Sequence, residues 1–191
     1  MKEDSYDVIF AGVGGMGALT AGQLLAQAAA KHFRYATYYP NITSSRRNEP
    51  ADCVVRFSDK MIYSQLTDKV ETAVIMSDMQ MHSFDMVVNQ LLIDRIKDGG
   101  LLIQEEGAST GNVDGKDIRI VKVLGIETSL KINNPRGVNI VYLGVYVGAT
   151  KVIPIELARM EVEKRFGTKK DVLTMNIRAF EEGVRIGGMA F

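Results

Sequence analysis

The chain has 191 residues, enough for one well-packed domain and too few for two full cores. Its 23 basic residues balance 23 acidic ones, and a net charge of zero argues against a broadly basic nucleic-acid footprint. No apolar run reaches the roughly 20 residues of a membrane helix, and the single cysteine, Cys53, cannot form an internal disulfide or by itself hold a zinc ion or an iron–sulfur cluster. Met1 to Asp7 is too short and too acidic for a signal peptide. The expectation is a cytoplasmic protein, a single domain over 1–191, with no metal centre of its own. His32 and His82 are isolated and read as surface or packing residues.

In chain order, Val8-Ile9-Phe10-Ala11 is a short apolar strand. Gly12-Val13-Gly14-Gly15-Met16-Gly17 then places four glycines in six residues, and good helix formers follow from Ala18 to Ala30. Arg34 to Tyr39, aromatic and β-branched, predicts a second strand, and 40–50 is a long polar connection bounded by prolines. Asp52 to Phe57 predicts a third strand, with Lys60 to Tyr63 a candidate hairpin partner, and Glu71 to Met76 a further strand. Phe84, Val87, Val88, Leu91, Leu92 and Ile96 repeat at helical spacing, which predicts a helix from Ser83, as N-cap, to Lys97, ended by Gly99-Gly100. Leu101 to Gln104 and Ile118 to Val123 read as strands, with Asp114-Gly115 between them as a hairpin-type turn.

Val138 to Ala149 is ambiguous. Its β-branched and aromatic content favours a buried strand, whereas its length and the Gly144–Gly148 spacing favour a closely packed helix. Pro154 opens a helix with Ile155, Ala158, Val162 and Phe166 on one face; Gly167 stops it, and Asp171 is the expected cap of a last helix carrying Leu173, Ile177, Phe180 and Val184. The alternation predicts an α/β domain with a mainly parallel sheet and an antiparallel edge.

Strand, glycine turn, helix is the arrangement that cradles a phosphate, because glycine permits the tight turn and the free N–H groups at the helix start attract an anion. The opposing reading is that Gly12, Gly14, Gly15 and Gly17 serve only close packing of helix on sheet. A dinucleotide site places Asp or Glu about 20 residues further on, at the ribose. The second strand here ends Tyr38-Tyr39-Pro40, which disfavours NAD. Arg46-Arg47, in the long connection, suits either an anionic ligand or a solvated surface pair. No serine or cysteine nucleophile has a histidine in a recognisable motif. Asp52, Asp78, Glu105 and Glu106 read as caps and solvated turns rather than acid–base pairs, and Met76, Met79 and Met81 as packing or a partner surface. No catalytic residues are expected in this chain.

The residues resemble one known family over nearly the whole length, the gamma subunit (gamma domain) of 2-oxoacid:ferredoxin (2-oxoacid:acceptor) oxidoreductases. The matching stretches are Gly12 to Gly17 with Ala21 to Ala29, Arg47 ahead of Ala51 to Asp59, Gly99 to Ile103, Asn139 with Leu143-Gly144, and Asn176 with Ala179-Phe180 and Gly183. The resemblance implies a Rossmann-like three-layer domain, with helices on both faces of the sheet, and a helix over Val138 to Ala149. It also implies alpha and beta subunits, with or without a delta subunit, that carry thiamine diphosphate, magnesium and iron–sulfur clusters. Such an assembly oxidatively decarboxylates a 2-oxoacid to an acyl-CoA and reduces ferredoxin. This domain would complete it and share in holding CoA, through Gly12, Gly14, Gly15, Met16, Gly17, Arg46 and Arg47.

Two departures stand out. The family usually has Gln at Met16 and Arg-Gly-Gly at Arg47-Asn48-Glu49; methionine hydrogen-bonds poorly and Glu49 sets a negative charge beside Arg47. The competing functions are a free-standing NAD(P)-binding oxidoreductase and a non-catalytic assembly module. A homodimer is expected of the isolated chain, since a subunit removed from its complex exposes apolar surface.

Overall fold

A computed structural model describes residues 5–41, 49–81, 86–109 and 111–190. The elements are β1 Tyr6–Val13, α1 Ala18–Ala29, β2 Tyr35–Asn41, β3 Pro50–Ser58, β4 Val70–Ile75, β5 Gln80–Met81, β6 Met86–Val87, α2 Val88–Ile93, β7 Ile96–Glu105, β8 Arg119–Val123, α3 Gly125–Lys131, α4 Val138–Thr150, α5 Ile155–Phe166 and α6 Lys170–Gly188. Among the described residues, six strands form one sheet in the order β2-β3-β1-β4-β7-β8, and β5 pairs with β6 separately. The ladders β1–β4, β4–β7 and β7–β8 are parallel. β3 runs antiparallel to both β1 and β2, so the antiparallel part lies toward one edge. The middle of β1 is buried throughout, as expected for a strand covered on both faces.

The two faces are covered unequally. On one, Phe10, Val55, Val74 and Ile103 meet the apolar sides of α1, α4, α5 and α6 in the larger core. On the other, Ile9, Ala11, Val54, Ile75 and Leu102 are capped by Val88, Leu92 and Ile93 of the short α2.

The ambiguous stretch is the central helix α4, buried from Val138 through Gly148. Tertiary packing overrides β-propensity here. A Cβ on Gly144 or Gly148 of α4, or on Gly183 or Gly187 of α6, would come within 3.0 Å of the opposite helix's backbone. The two helices touch main chain to main chain, which requires a helix with glycines four residues apart.

Several expectations are corrected. The helix predicted over 83–97 is limited to Val88–Ile93, and its expected cap, Ser83, lies outside the described residues. Ile96 and Lys97 instead begin β7, which starts where the Val70 N–H donates to the Arg95 carbonyl. Gly99 and Gly100 lie inside that strand. Gly99 takes a φ of 76°, and a Cβ on Gly100 would strike the Lys97 and Glu71 carbonyls at 2.7 and 2.9 Å. Lys60 to Tyr63 forms no strand; Arg56 holds the segment that follows by donating to the Ser64 and Leu66 carbonyls. The Asp114-Gly115 turn exists, with φ 75° at Gly115, but it joins the parallel strands β7 and β8 and makes no hairpin. Asp171 lies in the first turn of α6 rather than at its cap, which is Lys169. The seven-residue α3 has too few turns to register as a helical period.

Candidate functional site at the glycine turn

β1 ends at the carboxyl edge of the parallel strands, and the chain turns there through the glycines into α1. Each glycine answers a different constraint. A Cβ on Gly12 would lie 3.1 Å from the Met76 methyl carbon. The Gly14 N–H donates to the Glu49 carbonyl at 2.7 Å, tying the turn to the start of β3. Gly15 has φ 103° with open space where a side chain would stand. Gly17, the N-cap of α1, has φ 85°, and a Cβ there would lie 2.7 Å from Nδ2 of Asn139. Asn139 is 5% exposed near the start of α4, so the two helices begin side by side at the turn.

α1 has no side-chain cap, leaving the N–H groups of its first turn without intrahelical acceptors. Those groups and the helix dipole favour a negative ligand. The bare face of Gly15 lets a ligand come close. Two donors of the turn are already used, however: Gly14 bonds Glu49, and the Met16 N–H bonds the Val13 carbonyl at 3.1 Å. The Met16 side chain packs against the larger core. Arg46, Arg47 and Asn48 lie outside the described residues, between Asn41 at the end of β2 and Glu49 beside the turn.

The neighbouring strand ends complete this edge. The Val13 N–H donates to Ser77 Oγ at 3.2 Å, closing the crevice between β1 and β4, where open α/β sheets bind ligands. Asn89, fully buried, accepts from the Met79 N–H and donates to Asp78, whose carboxylate also accepts from the Ser109 N–H at 2.6 Å. Glu105 accepts from the Tyr142 hydroxyl at 2.8 Å and from the Ile126 N–H at 3.1 Å. Asp78 and Glu105 therefore act as anchors of the 105–109 loop and of α3, as their reading as caps and turns implies.

Burial, reinforced by the Glu105 carboxylate, pushes the Tyr142 hydroxyl far up, so it remains a donor at any physiological pH. Burial also raises Asp52, against the hydrogen bond from Asn41, and pushes the Cys53 thiol up to about 12. Among the described residues no group of three or more His, Cys, Asp or Glu is placed to hold a metal ion, and no helix is long and apolar enough to cross a membrane.

The strand order bears on the ligand. In a dinucleotide fold the ribose carboxylate stands on the strand next to the glycine strand. Here β3 is inserted between β1 and β2, placing the end of β2 about 10 Å, two strand spacings, from β1. Both the residue type and its place are wrong for ribose recognition. Ser77, Asn89 and Asn139 had no assigned role in the sequence reading. Only Asn139 left a trace there, in the matching stretch with Leu143-Gly144.

A family model described as pyruvate ferredoxin/flavodoxin oxidoreductase matches residues 7–186. The ketoisovalerate oxidoreductase subunit VorA of Methanothermobacter thermautotrophicus is 29% identical over 178 residues, which are 92% of this chain and 35% of VorA. Among solved structures, the gamma subunit of a keto/oxoacid ferredoxin oxidoreductase from Geobacter sulfurreducens superposes with a TM-score of 0.74 at 21% identity, over 96% of this chain and 99% of its own. A 2-oxoglutarate:ferredoxin oxidoreductase from Magnetococcus marinus, solved with 2-oxoglutarate, coenzyme A and succinyl-CoA, superposes with a TM-score of 0.81 at 19% identity. That match covers 98% of this chain and 32% of the other. The chain thus spans about a third of the longer relatives and nearly all of the Geobacter subunit, with the same fold. A match over 7–186 leaves only the two ends outside it, and the chain belongs to the pyruvate ferredoxin/flavodoxin oxidoreductase family.

Proposed function

We propose that this chain is the gamma-type subunit of a cytoplasmic 2-oxoacid:ferredoxin oxidoreductase, with alpha and beta subunits and in some assemblies a delta subunit. The assembly decarboxylates a 2-oxoacid, passes the acyl group to CoA and delivers the electrons to ferredoxin. Thiamine diphosphate, magnesium and iron–sulfur clusters belong to the partner subunits in this reading. The observation that carries it is the family match over 7–186. This chain's own part is positional. The uncapped start of α1 and the open face of Gly15 suit an anionic group of CoA, and Arg46 and Arg47, ahead of Glu49 in the sequence, have the charge to share in holding it.

The isolated chain is expected to be inactive and homodimeric, and the chain purified with its partners to turn over 2-oxoacid with CoA and ferredoxin. Full turnover by the isolated chain would overturn this function, and micromolar NAD(P)H binding would restore the free-standing oxidoreductase. A second reading, an assembly module whose turn binds nothing, is favoured by one observation: Gly14 and Met16 spend their N–H groups on Glu49 and Val13. Calorimetric titration of the whole complex with CoA, wild type against Gly15→Ala, separates the two.

A further inference from the structure

Beside the glycine turn, at the carboxyl ends of β4 and β7, the surface opens into a groove of about 440 Å³ between the 105–109 loop and α3. Its lining includes Ala108, Ile126 and Leu130 as apolar floor and Asp78, Glu105 and Glu127 as acidic margin. Ile126 is 40% exposed, Leu130 56%, and Leu124, just ahead of α3, 46%. Glu106 stands exposed between two lining residues, Glu105 and Gly107. Among the described residues no lysine or arginine lines the groove. The nearest cation in sequence, Lys131, is paired with Glu127 one turn back on α3.

The apolar residues are therefore not scattered singly. Ile126 and Leu130 share one helix and one groove, the pattern of an interaction site rather than ordinary surface. The acidic margin selects the chemistry of what fits. An apolar side chain can bury itself on Ile126 and Leu130, while flanking Lys or Arg answer the exposed Asp78 and Glu106. An acidic or neutral segment would instead bring like charge or unpaired carboxylates into the contact.

The groove is also rigid. Glu105 is fastened to Tyr142 and to the Ile126 N–H, and Asp78 to Ser109 and Asn89. Both walls are held in place before anything binds, which lowers the cost of association. In VorA and in the Magnetococcus chain, about two thirds of the polypeptide lies outside the part that this unit matches, so in those relatives the matching part is joined to further polypeptide.

We infer that the groove between α3 and the 105–109 loop is the docking face for a segment of a partner subunit that inserts an apolar side chain flanked by basic residues. The inference rests on the chain being a subunit of an oxidoreductase complex and names the surface and the chemistry of that contact.

The test uses the chain expressed together with its partner subunits and purified through a tag on one partner. Leu130→Asp and the double variant Glu106→Lys/Glu127→Lys are compared with wild type and with Tyr63→Asp, a control at a residue 90% exposed elsewhere on the surface. Both groove variants should lower the chain recovered with its partners at least about tenfold, the size of a central interface contact. Tyr63→Asp should not, and circular dichroism melts of the purified single chains should stay close to wild type. Wild-type association should weaken with added salt, and the double lysine variant should lose most of that dependence. A photo-crosslinker at Leu130 should capture a basic, apolar-centred peptide of a partner. Full recovery of both groove variants, or a crosslink to a second copy of this chain or to an acidic segment, overturns the docking face alone. If wild type recovers no partner, the subunit reading fails and takes the docking face with it.

Discussion

The Tyr142 hydroxyl donates a 2.8 Å hydrogen bond to the Glu105 carboxylate, joining the central helix α4 to the end of β7 inside the protein. The same oxygen of Glu105 accepts from the Ile126 N–H, so one carboxylate holds β7, α3 and α4 together. Tyr142→Phe removes a donor from a carboxylate only 9% exposed. The expected loss is about 1–3 kcal/mol, the cost of leaving a buried polar group short of a partner. Urea melts of the single chain measure it; a change within error of zero would mean that Glu105 finds water instead.

The contact of α4 with α6 makes a sharper demand. Gly183→Ala would drive a Cβ into the Val141 carbonyl, and overpacking of this kind costs about 3 kcal/mol where backbone cannot yield. Gly188→Ala, also on α6, meets nothing within 4 Å and should be neutral or stabilise by about 0.5 kcal/mol through helix propensity. The pair separates backbone contact from a general dislike of alanine in this helix. Equal effects in thermal melts would refute the close-contact account.

Gly15 and Gly17 both lie at positive φ but differ in surroundings. Gly15→Ala faces open space, so only backbone strain opposes it, about 1–2 kcal/mol. Gly17→Ala adds a collision with Asn139 and should cost clearly more. If the turn holds an anionic group of CoA, Gly15→Ala should raise the KM for CoA in the complex while leaving that for the 2-oxoacid unchanged. An unchanged KM for CoA favours the assembly-module reading.

Cys53 supplies a pH signature. Burial, with a smaller push from the Asp52 charge, lifts its thiol from an ordinary 9.0 to about 12. The folded state thus favours the neutral thiol. Its contribution is complete below the unfolded chain's value near 9 and is lost as pH rises from there toward 12. The slope in that window is up to about 1.4 kcal/mol per pH unit. Wild-type stability should therefore fall more steeply between pH 9 and 11 than that of Cys53→Ala, and iodoacetamide at pH 8 should label Cys53 only after unfolding. Parallel pH profiles of the two proteins would contradict this.

Much of the site edge is local in origin and so legible in the chain. Val8 to Ala11 runs directly into four glycines and a helix former, and this order alone implies a strand, a tight turn and a helix start. Which glycine faces solvent is not local. Gly15 is free and Gly17 confined only because α4, more than a hundred residues later, brings Asn139 against the turn. In the same way 83–97 carries a helical period, yet Ile96 is claimed by pairing with Val70 of β4, which a periodic pattern cannot register.

By itself, then, the sequence determined the alternation of elements, the place of the glycine turn, the last two helices and the likeness to the gamma subunits. All of these depend on neighbours within a few residues or on residue identity. Propensity left Val138 to Thr150 open and the likeness to the gamma subunits implied a helix; the tertiary structure supplies the reason, since main-chain contact between Gly144 and Gly183 outweighs the β-branched side chains. Tertiary structure alone decided that β3 separates β2 from the glycine strand, and which N–H and hydroxyl groups Asp78 and Glu105 hold. Those outcomes rest on contacts between residues far apart in the chain, whose energies exist only once the sheet and its helices have closed on one another.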